Sequence, residues 1–349
     1  MSGATLHPTA TRVFALAAVS PELSIPPLPA ADEPPLLLTP LRFVDQARLG
    51  RNAWWRYVLA IALFVALVVV AAVALLAGGA AILAGFDGLR SIDAALHAFY
   101  RSGLAVFGWL MLVSALELPI LFLVVRLFHR RSWRSLVIGP QGFDGSGFAH
   151  SLGLALAIGT FGVFVEQIIA PGAIRLAYDA ERFWPFLALA VVLVPLQTLA
   201  EETIFRGYVL QGVARGSRLF AVRLAVPALA FAVLHFGNAA VASGGLCGAL
   251  SFVVLALYLT FLTLRGDGIE HAWGFHLGNN WLAFLLVASP ASDFSLPSLF
   301  VTDAADFFGA FIATVVTCLL HYGLLLRFSA PRLARRGAPP DAITGAVSL

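Results

Sequence analysis

The sequence predicts an all-α polytopic membrane bundle of about eight transmembrane helices, both termini cytoplasmic, enclosing a polar cavity inside the bilayer. Three observations predict it. The chain is 60% hydrophobic and 12% charged, whereas soluble domains are about half apolar and about a quarter charged. Its apolar residues fall in runs of about 20, the length at which a helix crosses the hydrocarbon core. Its arginines gather between alternate runs, as cytoplasmic loops require.

Residues 1–50 are rich in proline and small residues between Pro21 and Pro40 and show no sustained periodicity, the pattern of a disordered cytoplasmic tail. The apolar patch Val13–Val19 is too short and too poorly flanked for a signal peptide. Trp54, Trp55 and Arg56 then form an interfacial anchor, opening a bundle over 51–330. Spans are expected at 57–84, 103–125, 148–170, 185–213, 219–236, 244–264, 270–289 and 307–326, with a cytoplasmic tail at 331–349. The fourth is long and interrupted by a pair of glutamates.

Arginine placement supports that order. Arg42, Arg48, Arg51 and Arg56 precede the first run, and Arg126, Arg130, Arg131 and Arg134 follow the second. Arg215 and Arg218 follow the fourth, Arg265 the sixth, and Arg327, Arg332, Arg335 and Arg336 the eighth. The alternate loops hold Arg90, Arg101, Arg175 and Arg182, mostly offset by Asp87, Asp93, Asp179 and Glu181. No lysine occurs. That bias suggests a GC-rich bacterial coding sequence, hence the inner membrane. The net charge of +3 has no clustered basic face, so nucleic acid is not an expected partner. Cys247 and Cys318 sit in apolar runs without metal-ligand spacing and read as packing thiols.

Three stretches place expensive polar groups inside apolar runs: Glu201-Glu202-Thr-Ile-Phe-Arg206, Phe231-Ala-Val-Leu-His235 and His276-Leu-Gly-Asn-Asn280. Ionisable groups in a spanning segment face a bundle interior or wet cavity and are functional candidates. At 1.5 Å per residue, Glu201 lies roughly 20 Å from the inner end near Arg215, His235 roughly 24 Å and His276 roughly 16 Å from theirs. One shared site is geometrically allowed. Residues four apart share a helix face, so Arg206 pairs with Glu202, while Glu201 shares its face with Gln197 and points at the cavity. Glu201 is then placed as a general base for water. His276 and Asn280 leave one face together and can form an oxyanion hole. The bland readings are buried ion pairs for the glutamates, an interhelical hydrogen bond for His235 and a polar packing patch for His276 and Asn280. The same atoms suit another chemistry: Glu201, His235 and His276 are a possible zinc set with water as fourth ligand. There is no HExxH pattern. A zinc-bound Glu201 would also leave the reaction needing another base, so the metal-free form is favoured.

Other polar residues carry less. Glu117, two before Pro119, marks a kinked cavity helix or a buried hydrogen bond. Glu166 and His271 lie near span ends, Arg223 can snorkel, and His321 has no partner nameable from sequence. Gly244 and Gly248 are a small-xxx-small pair permitting close packing.

The ordered set Glu-Glu-x-x-x-Arg, Phe-x-x-x-His and His-x-x-x-Asn, with Gly207 after the arginine, resembles the CPBP family of intramembrane proteases. That family includes type II CAAX prenyl endopeptidases and the bacteriocin-processing and immunity proteins labelled Abi. The resemblance covers about 185–290. It implies a helical bundle around a hydrophilic intramembrane cavity, acting as a metallopeptidase or as a metal-free glutamate peptidase. Glu201 and His235 would activate water, His276 and Asn280 would stabilise the oxyanion, and Glu202 and Arg206 would shape the first motif. Asn279 adjoins Asn280, but spacing favours Asn280. The expected substrate is a membrane-associated or exported peptide or protein, with a prenylated one not expected from a bacterial source. The alternatives are a non-catalytic binding or immunity protein, or a transporter with a midplane site. No inverted repeat is visible to favour transport.

Overall fold

The computed structural model describes residues 41–87, 91–289, 296–302 and 306–337. Its helices are α1 (Trp54–Asp87), α2 (Ile92–Arg101), α3 (Gly103–His129), α4 (Arg134–Val137) and α5 (Gly145–Ile169). Then come α6 (Ala180–Glu202), α7 (Leu210–Gly216), α8 (Phe220–Leu234), α9 (Ala239–Gly266), α10 (Glu270–Trp281) and α11 (Phe307–Gly337). Six stretches are long and apolar enough to cross a membrane: Trp54–Ile82, Gly103–His129, Gly145–Ile169, Ala180–Gly216, Ala239–Gly266 and Phe307–Phe328. Among the described residues six of the eight expected runs form such helices, and the runs at 219–236 and 270–289 fold differently. The first becomes α8, of 15 residues and so about 22 Å, and stops at His235. The second becomes α10, which ends in a π-helical turn over Leu282–Leu286.

Three short strands, β1 (Ile174–Leu176), β2 (Val287–Ala288) and β3 (Phe300–Thr302), pair in the order β1-β3-β2 beyond that turn. The outer faces of the long helices carry exposed Val58, Ile61, Val65 and Val69 on α1, Phe161 and Phe164 on α5, and Leu319 on α11. Such a surface suits lipid and would be an association hazard in water.

The arginine-rich ends of the helices meet at one end of the bundle. Phe43–Leu49 forms a 3-10 helix there, with Phe43 and Val44 buried. The Phe43 N–H donates to Asp267 at 3.0 Å, and Gln46 donates to the Ile138 carbonyl at 2.9 Å. Packing against the bundle therefore begins before residue 50, and the boundary of the tail moves back. The rest of that tail, 1–40, and residues 338–349 lie outside the described residues. Arg131 is buried at this end and donates to Ser135 and Gln211. Arg223 donates to the carbonyls of Ser217 and Ala214, closing the end of α7.

Close backbone approach sets where α5 and α10 lie. A Cβ on Gly274 would strike the Phe148 carbonyl oxygen of α5, and one on Gly278 would come within 2.8 Å of the Ala155 Cβ. His321 finds its partners across helices. Its Nε2–H donates to the Ser151 carbonyl at 3.1 Å and its Nδ1 accepts from the Tyr258 hydroxyl at 2.6 Å. The Ser151 hydroxyl in turn donates to the His271 carbonyl at 2.7 Å. This chain ties α5, α9, α10 and α11 together in the apolar interior, where an unmet hydrogen-bonding group is costly. In α9, Gly245 sits at φ 54°, ψ −126°, a conformation open chiefly to glycine, and kinks the helix nearly two turns past its start. Gly244 packs against the Phe307 ring rather than against another small residue.

Between α6 and α7 the chain winds as a π-helix over Thr203–Val209. Gly207 there lies against the Leu136 carbonyl oxygen, with no room for a Cβ. Gly207→Ala is expected to cost about 1–3 kcal/mol through overpacking. Thermal unfolding in detergent measures it, and a variant as stable as the parent would refute the contact.

Candidate active site

Glu202 is the most confined ionisable group of the three motifs, 0% exposed together with Arg206. Its Oε1 receives Arg206 Nη1 at 3.0 Å, the ion pair expected from their spacing. The π-helical turn between them does not break that pair. Oε1 also receives His276 Nδ1 at 2.7 Å from α10, a contact that sequence spacing could not foretell. Arg206 uses Nη2 on the Ala256 carbonyl of α9 at 3.1 Å, and its Cζ stands 4.8 Å from the Phe231 ring of α8. One buried ion pair thus gathers four helices.

Glu201 points elsewhere, as helical phase requires. Its side chain is 17% exposed, with Oε1 4.0 Å from His235 Nε2 and Oε2 3.4 Å from His276 Nε2. Oε2 is buried and has no hydrogen-bond partner among the described residues. His235 lies at the end of α8, where its Nδ1–H donates to the Phe231 carbonyl at 2.9 Å. A carbonyl only accepts, so Nδ1 carries a proton and Nε2 is the nitrogen turned toward Glu201. The ring is stacked between Phe231 at 4.3 Å and Phe252 at 5.1 Å. Phe231 also meets the His276 ring edge-on at 5.8 Å. The phenylalanine of the second motif is therefore the wall shared by both histidines and Arg206, a role its apolar character concealed.

Asn280 stands one turn beyond His276 and donates to Gln197 Oε1 at 3.1 Å. Gln197 is on α6, one turn before Glu201. The structure brings Glu201, Glu202, Arg206, His235 and His276 into one connected group, while Asn280 bonds to Gln197 of the helix that carries both glutamates. Glu117 on α3 feels the charge of Glu201 and makes no hydrogen bond among the described residues. Glu117 is thus placed by the packing of α3 against α6 on the Glu201 side of the bundle.

The zinc set fares less well. The Glu201 carboxylate is divided between two imidazoles, one facing each oxygen. Among the described residues no group of three or more His, Cys, Asp or Glu is arranged to hold a metal ion. The residues do not make a preformed zinc site, and no step below passes through one.

Residues 181–282 match the model of a family described as type II CAAX prenyl endopeptidase Rce1-like. The uncharacterized protein YyaK of Bacillus subtilis (strain 168) is 30% identical over 218 residues, 60% of this chain and 71% of that protein. The chain belongs to this family. No solved structure matches it. The Rce1-like segment runs from the start of α6 to the end of α10 and contains all three motifs. This makes the protein an integral membrane member of a family of CAAX-type proteases. The Rce1-like motif Glu-Glu-x-x-x-Arg-Gly has a physical reading in this fold. The first glutamate faces His235 and His276, the second and the arginine neutralise each other, and the glycine admits a neighbouring backbone.

Removing one member of a buried pair strands the other, at about 3–5 kcal/mol. Arg206→Met is expected to abolish or sharply reduce folded protein, and adding Glu202→Gln should restore part of it. Detergent-solubilised yield and unfolding temperature measure both, and a stable single variant would contradict the pairing.

Proposed function

We propose that the protein is an intramembrane endopeptidase that hydrolyses a peptide bond in a membrane-associated or exported peptide or protein. The observation that carries this reading is the convergence of His235 and His276 on Glu201, whose buried Oε2 receives no hydrogen bond among the described residues. Glu201 takes a proton from water as the water oxygen bonds to the scissile carbonyl carbon. His235 Nε2 stands on the other carboxylate oxygen and orients that water. The carbonyl oxygen becomes negative and accepts from Asn280 and from His276 Nε2 when that nitrogen carries a proton, with Nδ1 held by Glu202. Collapse of the tetrahedral intermediate breaks the carbon–nitrogen bond. Glu201 returns its proton to the leaving amine, so an acid and an amine are released and the enzyme is regenerated.

The arginine-rich end is cytoplasmic in this reading. Alkaline phosphatase fused after Leu349 should therefore be inactive, and fused after Arg175 active; the opposite result would invert the topology. For the reaction, membrane and secreted peptides of wild-type cells are compared with those of Glu201→Gln cells. At least one peptide should disappear from the variant, and its cleavage by purified protein should fall about 100-fold or more in Glu201→Gln and His276→Ala. Unchanged peptide sets, or full activity in these variants, would remove the protease reading in favour of a binding or immunity role.

A further inference from the structure

We propose that Gln197 is a positioning residue for Asn280, holding its amide so that the second N–H faces the carbonyl under attack. This rests on the hydrolytic reading above and extends it to a residue outside the three motifs. Gln197 is 6% exposed, and its Oε1 receives Asn280 Nδ2 at 3.1 Å. An asparagine nitrogen carries two hydrogens. One is taken by Gln197, which leaves the other directed and the Asn280 oxygen turned away.

Without that acceptor the amide torsion is broad and roughly two-fold. Rotation would bring the Asn280 oxygen, not its N–H, toward the developing negative charge. A 1 Å misplacement of a reacting group can cost about 100-fold in rate.

Helix docking does not explain the contact. Trp273 already joins α10 to α6 through Thr198 Oγ1 at 3.1 Å and the Pro195 carbonyl at 3.3 Å, and Trp281 reaches the Ala190 carbonyl at 3.4 Å. None of these touches a motif side chain. Gln197 does, and it repeats for Asn280 what Glu202 does for His276. A single helix, α6, therefore carries the base and the braces of both oxyanion donors. Base and donors keep their relative placement through rigid helical spacing rather than through loops.

The test uses full-length protein in detergent and an internally quenched version of the peptide whose release depends on Glu201. Gln197→Met keeps the volume and removes the acceptor. It should lower kcat about 10- to 100-fold with KM little changed. Asn280→Ala should lower kcat about 100- to 1,000-fold, and the double variant should be no slower than Asn280→Ala alone. Trp273→Phe breaks a docking bond of the same interface, and should lower the unfolding temperature while leaving kcat essentially unchanged. If Gln197→Met does not fold, Gln197→Asn is read by the same criterion, since it is one methylene too short to reach Asn280. Parental kcat in the Gln197 variant, or losses that multiply in the double variant, would overturn the assignment. Parental cleavage by Glu201→Gln and Asn280→Ala would instead overturn the hydrolytic reading, and this inference with it.

Discussion

The organisation of the site depends on one buried carboxylate. Glu202 has no solvent, and its Oε1 is shared by a guanidinium from its own helix and an imidazole from α10. A charge in that setting is tolerable only when paired and hydrogen-bonded. The requirement that Glu202 be neutralised therefore fixes where Arg206 and His276 stand. Arg206 passes the constraint on to α9 through Ala256 and to α8 through Phe231. Phe231 in turn backs His235. Because Glu202 takes Arg206, Glu201, the neighbouring carboxylate, is left to face His235 and His276.

Such an arrangement needs helices that approach closely and do not shift. Glycines supply the approach where α10 meets α5 and where the π-helical turn meets Leu136. Hydrogen-bonded side chains supply the locking, as in Ser151–His321–Tyr258. In lipid the helices gain little from apolar association, so packing and interhelical hydrogen bonds hold the bundle. The short α8 follows the same logic: it stops at Leu234, and His235 at that stop faces Glu201.

Much of this was legible in the sequence, residue by residue. Composition gave the membrane bundle, and i, i+4 spacing gave the Glu202–Arg206 pair and the outward turn of Glu201. What spacing could not reach were contacts between helices: Glu202 with His276, Gln197 with Asn280, and His321 with Tyr258. Glu117 escaped for the same reason, since only the packing of α3 beside α6 brings it within the field of Glu201. Where eight apolar runs were expected, six helices are long enough to cross a membrane; the other two runs end as the short α8 and as α10 with its π-helical turn, because hydropathy counts apolar residues and does not register where a helix stops.

Local rules thus decided by themselves the class of fold, the helices that carry the polar motifs, and which glutamate pairs with the arginine. These follow from the energy of apolar burial and from helical geometry, both properties of short segments. Tertiary structure alone decided that His235, His276 and Glu201 meet, that Phe231 separates and supports them, and that Gln197 holds Asn280. Those contacts join residues dozens of positions apart, and their distances are set by how helices pack rather than by how any one of them is wound.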